Sequence, residues 1–115
     1  MGATGIKQWD IWLADFPYEE DHKKFSSRPI IVLNIQQSFV LAVKITKHSP
    51  RSADPYDVTI VQWKQSGLMY PSTARVSKTM KLPHSSFRCR LGVLSNRDQA
   101  TIYNTFIKFI NAQKK

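Results

Sequence analysis

The stretch RPIIVLNIQQSFVLAVKIT, residues 28–46, decides the fold of this chain. It holds two apolar runs, 30–35 and 39–46, which are rich in β-branched residues and are separated by a short polar segment. Apolar runs of this length that are joined so tightly predict a β-hairpin, buried on both faces over part of its length. Pro29 agrees with this interpretation, because proline is tolerated at the first position of a strand, where it need not donate to the ladder.

Strands are also predicted on both sides of this hairpin, because aromatic and β-branched residues cluster between turn-forming segments. The segment 72–82 alternates so weakly that it predicts either one bent strand or two short ones. Ser95 followed by Asp98 has the spacing of a capping box and predicts the start of a helix. The other predicted strands are 9–16, 58–63 and 87–94, and the apolar stripe of the helix is Ile102, Tyr103, Phe106, Ile107, Phe109 and Ile110.

This order of elements, five to seven short strands followed by one C-terminal helix, predicts a mainly β fold of the α+β type. Short strands joined by tight turns favour a small, strongly bent antiparallel sheet or half-open barrel with the helix laid on one side. A chain of 115 residues has the length of one domain with one core, and it contains no internal repeat. Residues 1–115 are therefore predicted to form a single domain.

The charge of the chain predicts an anionic partner. Lys and Arg number 17 against 8 Asp and Glu, which gives a formal net charge of +9 and a positive potential over much of the surface. Nucleic acid, an acidic protein and an anionic membrane all fit this sign. The sequence has neither an apolar segment of signal-peptide length at its start nor a run of roughly 20 apolar residues that could span a bilayer. These features argue against secretion and membrane insertion and favour a cytoplasmic location.

Several kinds of enzyme site are missing from the sequence. His22, His48 and His84 lie far apart and there is no cysteine pair, so the spacing of a metal site is absent. No glycine-rich phosphate loop, G-x-S-x-G or H-E-x-x-H motif occurs. Cys89 lies in an alternating segment, which predicts an ordinary packed cysteine in a reducing compartment. We therefore expect no metal and no cofactor.

Phosphate-compatible groups remain at the strand ends and in the loops. The turn near Gln37 lies midway between Arg28 and Thr46, so antiparallel pairing places these two residues opposite each other at one edge of the sheet. A guanidinium offers a planar fork of donors, and a neighbouring hydroxyl can donate to the same phosphate. The alternative is that Arg28 is a solvated edge charge and Thr46 a plain strand former. The full set is Arg28, Thr46, Lys47, His48, Arg51, Arg75, Ser77 and Lys78.

Two features of the loops leave their interpretation open. The charged segment 17–27 is longer than the usual hairpin connection, which favours a functional or mobile loop, and we predict that it is a gate over the site.

Aromatic residues in loops either stack on unpaired bases or cap the core, and the sequence does not choose between these roles. These residues are Tyr18, Phe25, Tyr56 and Tyr70.

Five segments in this order and spacing resemble a known family. They are WDIWLADFPY, SSRPIIVLN, LAVKIT, GLMYPSTARVSKTMKL and RLGVLSNRDQATI, and together they cover nearly the whole chain. The resemblance is to the MazF/PemK toxins of bacterial toxin–antitoxin systems. It implies an SH3-like barrel with a terminal helix, a homodimer, and a metal-independent endoribonuclease that cuts single-stranded RNA. It also implies a cognate antitoxin whose acidic segment covers the groove.

The resemblance assigns catalytic roles to Arg28 and Thr46. The implied reaction is attack of a ribose 2′-hydroxyl on the adjacent phosphorus, which leaves a 2′,3′-cyclic phosphate and a 5′-hydroxyl. Arg28 would stabilise charge on the phosphoryl oxygens, and Thr46 would donate a hydrogen bond to them. The residues expected to contact RNA are Lys23, Lys24, Lys44, Lys47, Arg51, Arg75, Ser77 and Lys78.

The sequence departs from the family pattern at three positions. Trp9 stands where the family usually has a glycine, and Lys44 brings an additional cation before Ile45 and Thr46. Ser77 stands where some plasmid relatives carry an acid two residues after the arginine that matches Arg75. If that acid is the general base, His48 or His22 is the candidate to replace it, because histidine exchanges protons near neutral pH.

Two other classes of function stay open at the level of sequence. One is a toxin of the same fold that binds DNA gyrase without catalysis, as the related CcdB toxins do. The other is a basic SH3-like module that binds RNA or protein. The pair Arg28 and Thr46 discriminates between them and the nuclease, because neither alternative needs it.

Overall fold

The computed structural model describes residues 5–18, 20–21 and 23–114. Within them one antiparallel sheet of six strands is followed by a C-terminal helix, which confirms the predicted mainly β fold; the sheet bends but does not close. The strand order is β4-β5-β3-β2-β1-β6, so β4 and β6 form the two edges. The elements are β1 Asp10–Pro17, β2 Phe25–Ile35, β3 Val40–Thr46, β4 Asp57–Ile60, β5 Ser72–Leu82, the short 3-10 helix His84–Ser86, β6 Phe87–Val93 and α1 Asn96–Gln113.

The predicted hairpin is the centre of this sheet. Ile30 pairs with Lys44 and Val32 pairs with Ala42, so the turn lies where the sequence places it. The strand β2 begins at Phe25, earlier than predicted, because it continues to pair with β1 as far as Pro17. The segment 17–27 is therefore mostly hairpin, and the backbone N–H of Tyr18 still donates to the carbonyl of Lys24 over 2.9 Å. The predicted gate can therefore comprise only the tip of this hairpin, and part of that tip lies outside the described residues.

Alternation along the strands builds an apolar cluster on each face of the sheet. Ile31 and Leu33 of β2 join the cluster that α1 covers, together with Ile102 of the helix. Ile30 and Val32 point to the other face and pack with Trp12 and Phe87. Side chains in these two clusters are nearly all buried, which is the main source of stability for a chain of this size.

Trp9 joins β1 to both its neighbours through an unusual backbone conformation. Its φ of 71° lies in the left-handed region, which costs a non-glycine residue roughly 1–2 kcal/mol. Its N–H donates to the carbonyl of Val32 over 2.7 Å, and its carbonyl accepts from Leu94 over 2.9 Å. Its ring packs against the cluster under the helix. The position thus keeps the backbone geometry that favours glycine while it adds an apolar side chain to the core.

Cys89 is exposed, so the prediction of a packed cysteine is wrong. It lies on β6, which has a neighbour only on the side of β1, and Arg88 and Arg90 beside it are exposed as well. These two arginines pair with Asp15 and Asp10 respectively. A strand at the edge of a sheet has a paired neighbour on one side only, so its side chains can stay exposed to solvent.

The helix starts at the predicted N-cap, but its acidic residue serves a second element. Ser95 Oγ accepts from the N–H of Asp98 over 3.3 Å, as expected for a cap. The buried Asp98 carboxylate accepts from the N–H groups of Val61 and Gln62 over 3.0 and 2.8 Å. These N–H groups are therefore bound to a side chain, and β4 ends at Ile60 instead of extending to residue 63 as predicted.

Replacing Asp98 by asparagine should destabilise the protein by about 2 kcal/mol, because one of the two acceptor oxygens becomes an amide N–H₂ that faces a backbone donor. The urea midpoint of unfolding measures this loss, with Asp21→Asn as the control, since Asp21 accepts a comparable backbone N–H in an exposed turn. Equal midpoints for the two variants would show that the Asp98 contacts contribute little.

No helix among the described residues is long and apolar enough to cross a membrane.

Candidate active site

The hairpin brings Arg28 and Thr46 together as the sequence predicts. The register that pairs Ile30 with Lys44, continued by two residues, places Arg28 of β2 across from Thr46 of β3. Both residues line one cleft of about 520 Å³ at the end of these strands. Each is therefore carried by regular structure, which fixes the backbone from which the guanidinium and the hydroxyl extend.

The guanidinium of Arg28 is partly buried and only lightly engaged. Its Nε and Nη2 both donate to Ser26 Oγ, over 3.2 and 3.0 Å. Burial lowers the pKa of Arg28; Tyr18 opposes this shift, and the positive charge of Arg75 adds to it. A partly desolvated cation beside a second cation is stabilised when an anion enters, so this side chain is suited to bind phosphate.

Thr46 and His48 are coupled at the other side of the cleft. The buried Oγ1 of Thr46 accepts from the N–H of His48 over 3.3 Å, and the carbonyl of His48 accepts from Thr73 Oγ1 over 2.7 Å. A hydroxyl that accepts one bond still carries its own O–H, so Thr46 can donate to a phosphate oxygen. His48 lines the same cleft and is exposed, which leaves its ring accessible to a ligand.

Apolar and aromatic side chains complete the cleft. Leu13, Pro29 and Ile45 contribute from the strands, and Leu68, Met69 and Tyr70 contribute from the segment between β4 and β5. Lys47 also lines it, and its Nζ lies 5.4 Å from the centre of the Tyr70 ring. The cleft thus combines cations with flat and apolar surface, which matches the composition of sites for nucleotides.

A row of charged residues crosses the sheet beside the cleft. Arg75 of β5 pairs with Lys44 of β3 on one side and with Asp57 of β4 on the other. The Nε of Arg75 is buried and has no hydrogen-bond partner among the described residues. Lys44 Nζ lies 5.9 Å from the centre of the Phe16 ring. Arg75 is also close enough to Arg28 to lower the pKa of Arg28, so the positive potential of the cleft extends onto β5.

Arg51 binds acidic residues of its own loop and does not line the cleft. Its Nε and Nη2 bind the two oxygens of Asp57 over 2.9 and 3.0 Å, and Nη2 also binds Asp54 over 2.9 Å. Burial raises the pKa of Asp57, but hydrogen bonds and charge from Arg51 outweigh it, so the pKa lies below its usual range. Ser77 Oγ donates to Asp54 over 2.5 Å. Arg51 and Ser77 therefore hold a loop together and do not line the cleft.

The other predicted residues lie around the site at varying distances. Lys23 and Lys24 are exposed near the tip of the β1–β2 hairpin, and Lys78 is half-buried on β5. His22 lies outside the described residues. Within the described ranges, no three His, Cys, Asp or Glu side chains are grouped so that they could hold a metal ion. Among the predicted residues, the cleft brings together Arg28, Thr46, Lys47 and His48.

The chain is thus a small, mainly β protein with one antiparallel sheet, a terminal helix and a cleft lined by basic residues at the strand ends. The family model for PemK-like, MazF-like toxins of type II toxin–antitoxin systems matches residues 7–110, and the chain belongs to this family. The resemblance found in the sequence is thereby confirmed. A search of curated proteins finds no significant match.

Solved structures of mycobacterial toxins share the fold. The Mycobacterium tuberculosis toxin MazF-mt6 superimposes with a TM-score of 0.69 at 18% identity, over 89% of this chain and 96% of that one. An endoribonuclease in complex with its cognate antitoxin, from a mycobacterial species, gives a TM-score of 0.74 at 12% identity, over 93% and 96%. A further mycobacterial endoribonuclease gives 0.72 at 12% identity, over 94% and 93%. At these identities the similarity concerns the fold.

Proposed function

We propose that this toxin is an endoribonuclease that cleaves single-stranded RNA without a metal ion. The observation that carries the proposal is that Arg28 and Thr46, on neighbouring strands, line one cleft that also contains Lys47 and His48. The net charge of +9 supports a polyanionic substrate. Two of the solved structures with this fold are described as endoribonucleases, which supports the same class of reaction.

The proposed reaction is an internal transfer at one phosphodiester. The 2′-oxygen forms a bond to the adjacent phosphorus, the bond from phosphorus to the 5′-oxygen breaks, and the products are a 2′,3′-cyclic phosphate and a 5′-hydroxyl. Negative charge grows on the two non-bridging oxygens, where the fork of Arg28 and the hydroxyl of Thr46 donate hydrogen bonds. Each such donor is worth on the order of 3 kcal/mol in the transition state.

The two proton transfers need a base for the 2′-hydroxyl and an acid for the 5′-oxygen. His48 is our candidate for one of them, because it lines the cleft and its backbone is held by Thr46 and Thr73. His22 remains a candidate from the sequence. The remaining basic residues near the cleft would hold the flanking phosphates, and Lys44 and Arg75 are the nearest of these on the sheet.

The partners of the protein follow from the same cleft. An antitoxin segment rich in Asp and Glu would occupy the positive surface and exclude RNA, and one solved structure of this fold contains its cognate antitoxin. The homodimer and the cytoplasmic location stay predictions of the sequence.

The test is to incubate the purified protein with single-stranded RNA in excess EDTA and to map the fragment ends. We expect cleavage that leaves cyclic phosphate ends, reduced on the order of 100-fold in Thr46→Val, which keeps the shape of the side chain but not the hydroxyl. Thr46→Ser is the matched control and should retain most activity. RNA that stays intact across varied sequences would reject the nuclease and favour a toxin that acts by binding.

A further inference from the structure

The structure distinguishes the roles of four aromatic residues, which the sequence leaves open between stacking on bases and capping the core. Tyr56 packs edge-on against Phe109 of the helix, with ring centres 5.1 Å apart, so it caps the core. Tyr18 and Phe25 lie near the tip of the β1–β2 hairpin. Tyr70 lines the cleft of Arg28 and Thr46 with 56% of its surface exposed, and Met69 beside it is 81% exposed. Tyr70 therefore offers an aromatic surface inside the cleft.

The ring of Tyr70 has a cation beside it, and the backbone on both sides of Tyr70 is anchored. Lys47 Nζ lies 5.4 Å from the ring centre, a distance at which a cation is attracted to an aromatic face. The carbonyl of Tyr70 accepts from Ser72 Oγ over 2.7 Å. Leu68, two residues earlier, is buried in the cluster under the helix. The backbone of Tyr70 is thus restrained before a ligand binds, which lowers the entropy cost of using its side chain for binding.

Tyr70 also lies at the junction of two clefts. A second cleft of about 400 Å³ is lined by Thr59 of the edge strand and by Trp63, and it shares Lys47 and Ser72 with the first. Pro71, next to Tyr70, lines the second cleft. A chain that runs from the first cleft into the second would pass the shared residues Lys47 and Ser72, and Tyr70 lines the first cleft next to them.

We propose that Tyr70 stacks on a nucleobase next to the scissile phosphodiester and that Lys47 binds the phosphate beside it. The assignment rests on the proposed function, because it takes single-stranded RNA as the ligand. Flat bases alternate with anions along such a strand, and the cleft that contains Arg28 offers a flat ring with the cation of Lys47 beside it. Stacking on an aromatic side chain tolerates every base, so Tyr70 supplies affinity at this position and favours the bases that stack best.

The test uses an RNA that the proposed chemistry cannot cut. The probe is a 2′-fluoro RNA of randomised sequence, about ten nucleotides long, which matches the length that such sites hold. It carries 5-iodouracil in place of uracil. Under ultraviolet light this base forms a crosslink to an aromatic ring on which it stacks. We expect the crosslink in the wild-type protein to map to Tyr70 by mass spectrometry. We expect Tyr70→Ala to lose it and to bind the RNA between about 5-fold and 100-fold more weakly.

Two variants make the result specific to stacking. Tyr70→Phe keeps the ring and should bind within about twofold of wild type, because stacking needs the ring and not the hydroxyl. Tyr103→Ala removes an equally exposed tyrosine, 51% accessible, from the helix and should change nothing. A crosslink elsewhere with unchanged affinity in Tyr70→Ala, or no binding by the wild-type protein, would overturn the inference. Failure to cleave ordinary RNA would instead reject the proposed function alone, because this probe is never cut.

Discussion

Alanine in place of Arg28 is expected to lower kcat/KM for RNA cleavage by about 10²- to 10³-fold, with little change in folding stability. Among the described residues the side chain donates to Ser26 Oγ alone, through Nε and Nη2, so its removal costs the fold two hydrogen bonds to one partly buried hydroxyl that water can replace. The transition state, in contrast, loses a charged two-pronged donor at the oxygens where charge grows. Initial rates on a single RNA substrate and urea unfolding of the same preparations measure the two effects.

Two comparisons isolate the guanidinium from the charge. Lys108→Ala removes a charge of the same sign from an exposed position in the second half of α1 and should cleave RNA within about twofold of wild type, since Lys108 does not line the cleft and its charge is screened by salt. Arg28→Lys keeps the charge in the cleft but not the fork and should recover only part of the rate. Full activity in Arg28→Ala would remove this residue from the reaction.

Alanine in place of Gly92 is expected to destabilise the protein by about 3 kcal/mol and to abolish most of the proposed RNA cleavage. The backbone of Gly92 on β6 lies directly against that of Ser66 and Gly67, and a Cβ at this position would overlap the carbonyl oxygen of Ser66. Either β6 or the segment that leads to Leu68 and Tyr70 must then move, and that segment forms a wall of the cleft. Urea midpoints and cleavage rates report the two consequences.

Gly5→Ala is the matched control for this variant. Gly5 has a φ of 77° and no atom near the place of a new Cβ, so alanine there meets backbone strain without a steric overlap. A urea midpoint of Gly92→Ala no lower than that of Gly5→Ala, combined with unchanged cleavage, would show that the close approach of β6 to Gly67 contributes little. Gly67→Ala combines both effects, since its φ is 91° and its Cβ would overlap the carbonyl of Leu91.

The central hairpin and its register could be predicted because the information is local. A short polar turn between two apolar runs determines which residues face each other, and the pairing of Ile30 with Lys44 follows the predicted turn. The helix cap at Ser95 is local in the same sense. These two elements carry the candidate site and the cover of one core cluster, so the part of the fold most relevant to function was accessible from the sequence.

The predictions that failed concern contacts between distant segments. The end of β4 depends on Asp98, which is more than thirty residues away in the chain. Cys89 is exposed because β6 became an edge strand, and only the full strand order determines that. The RNA contact of Arg51 stays a prediction; its pairing with Asp54 and Asp57 is local, because both acids follow it closely in the chain, and it could have been weighed from the sequence.

The Asp98 carboxylate links the start of α1, which covers one core cluster, to the segment that forms one wall of the cleft. It lies in the first turn of α1 and holds the N–H groups of Val61 and Gln62, where the segment that forms one wall of the cleft begins. Unwinding of the first helical turn would therefore release this wall as well, so both should open as one cooperative unit in hydrogen exchange.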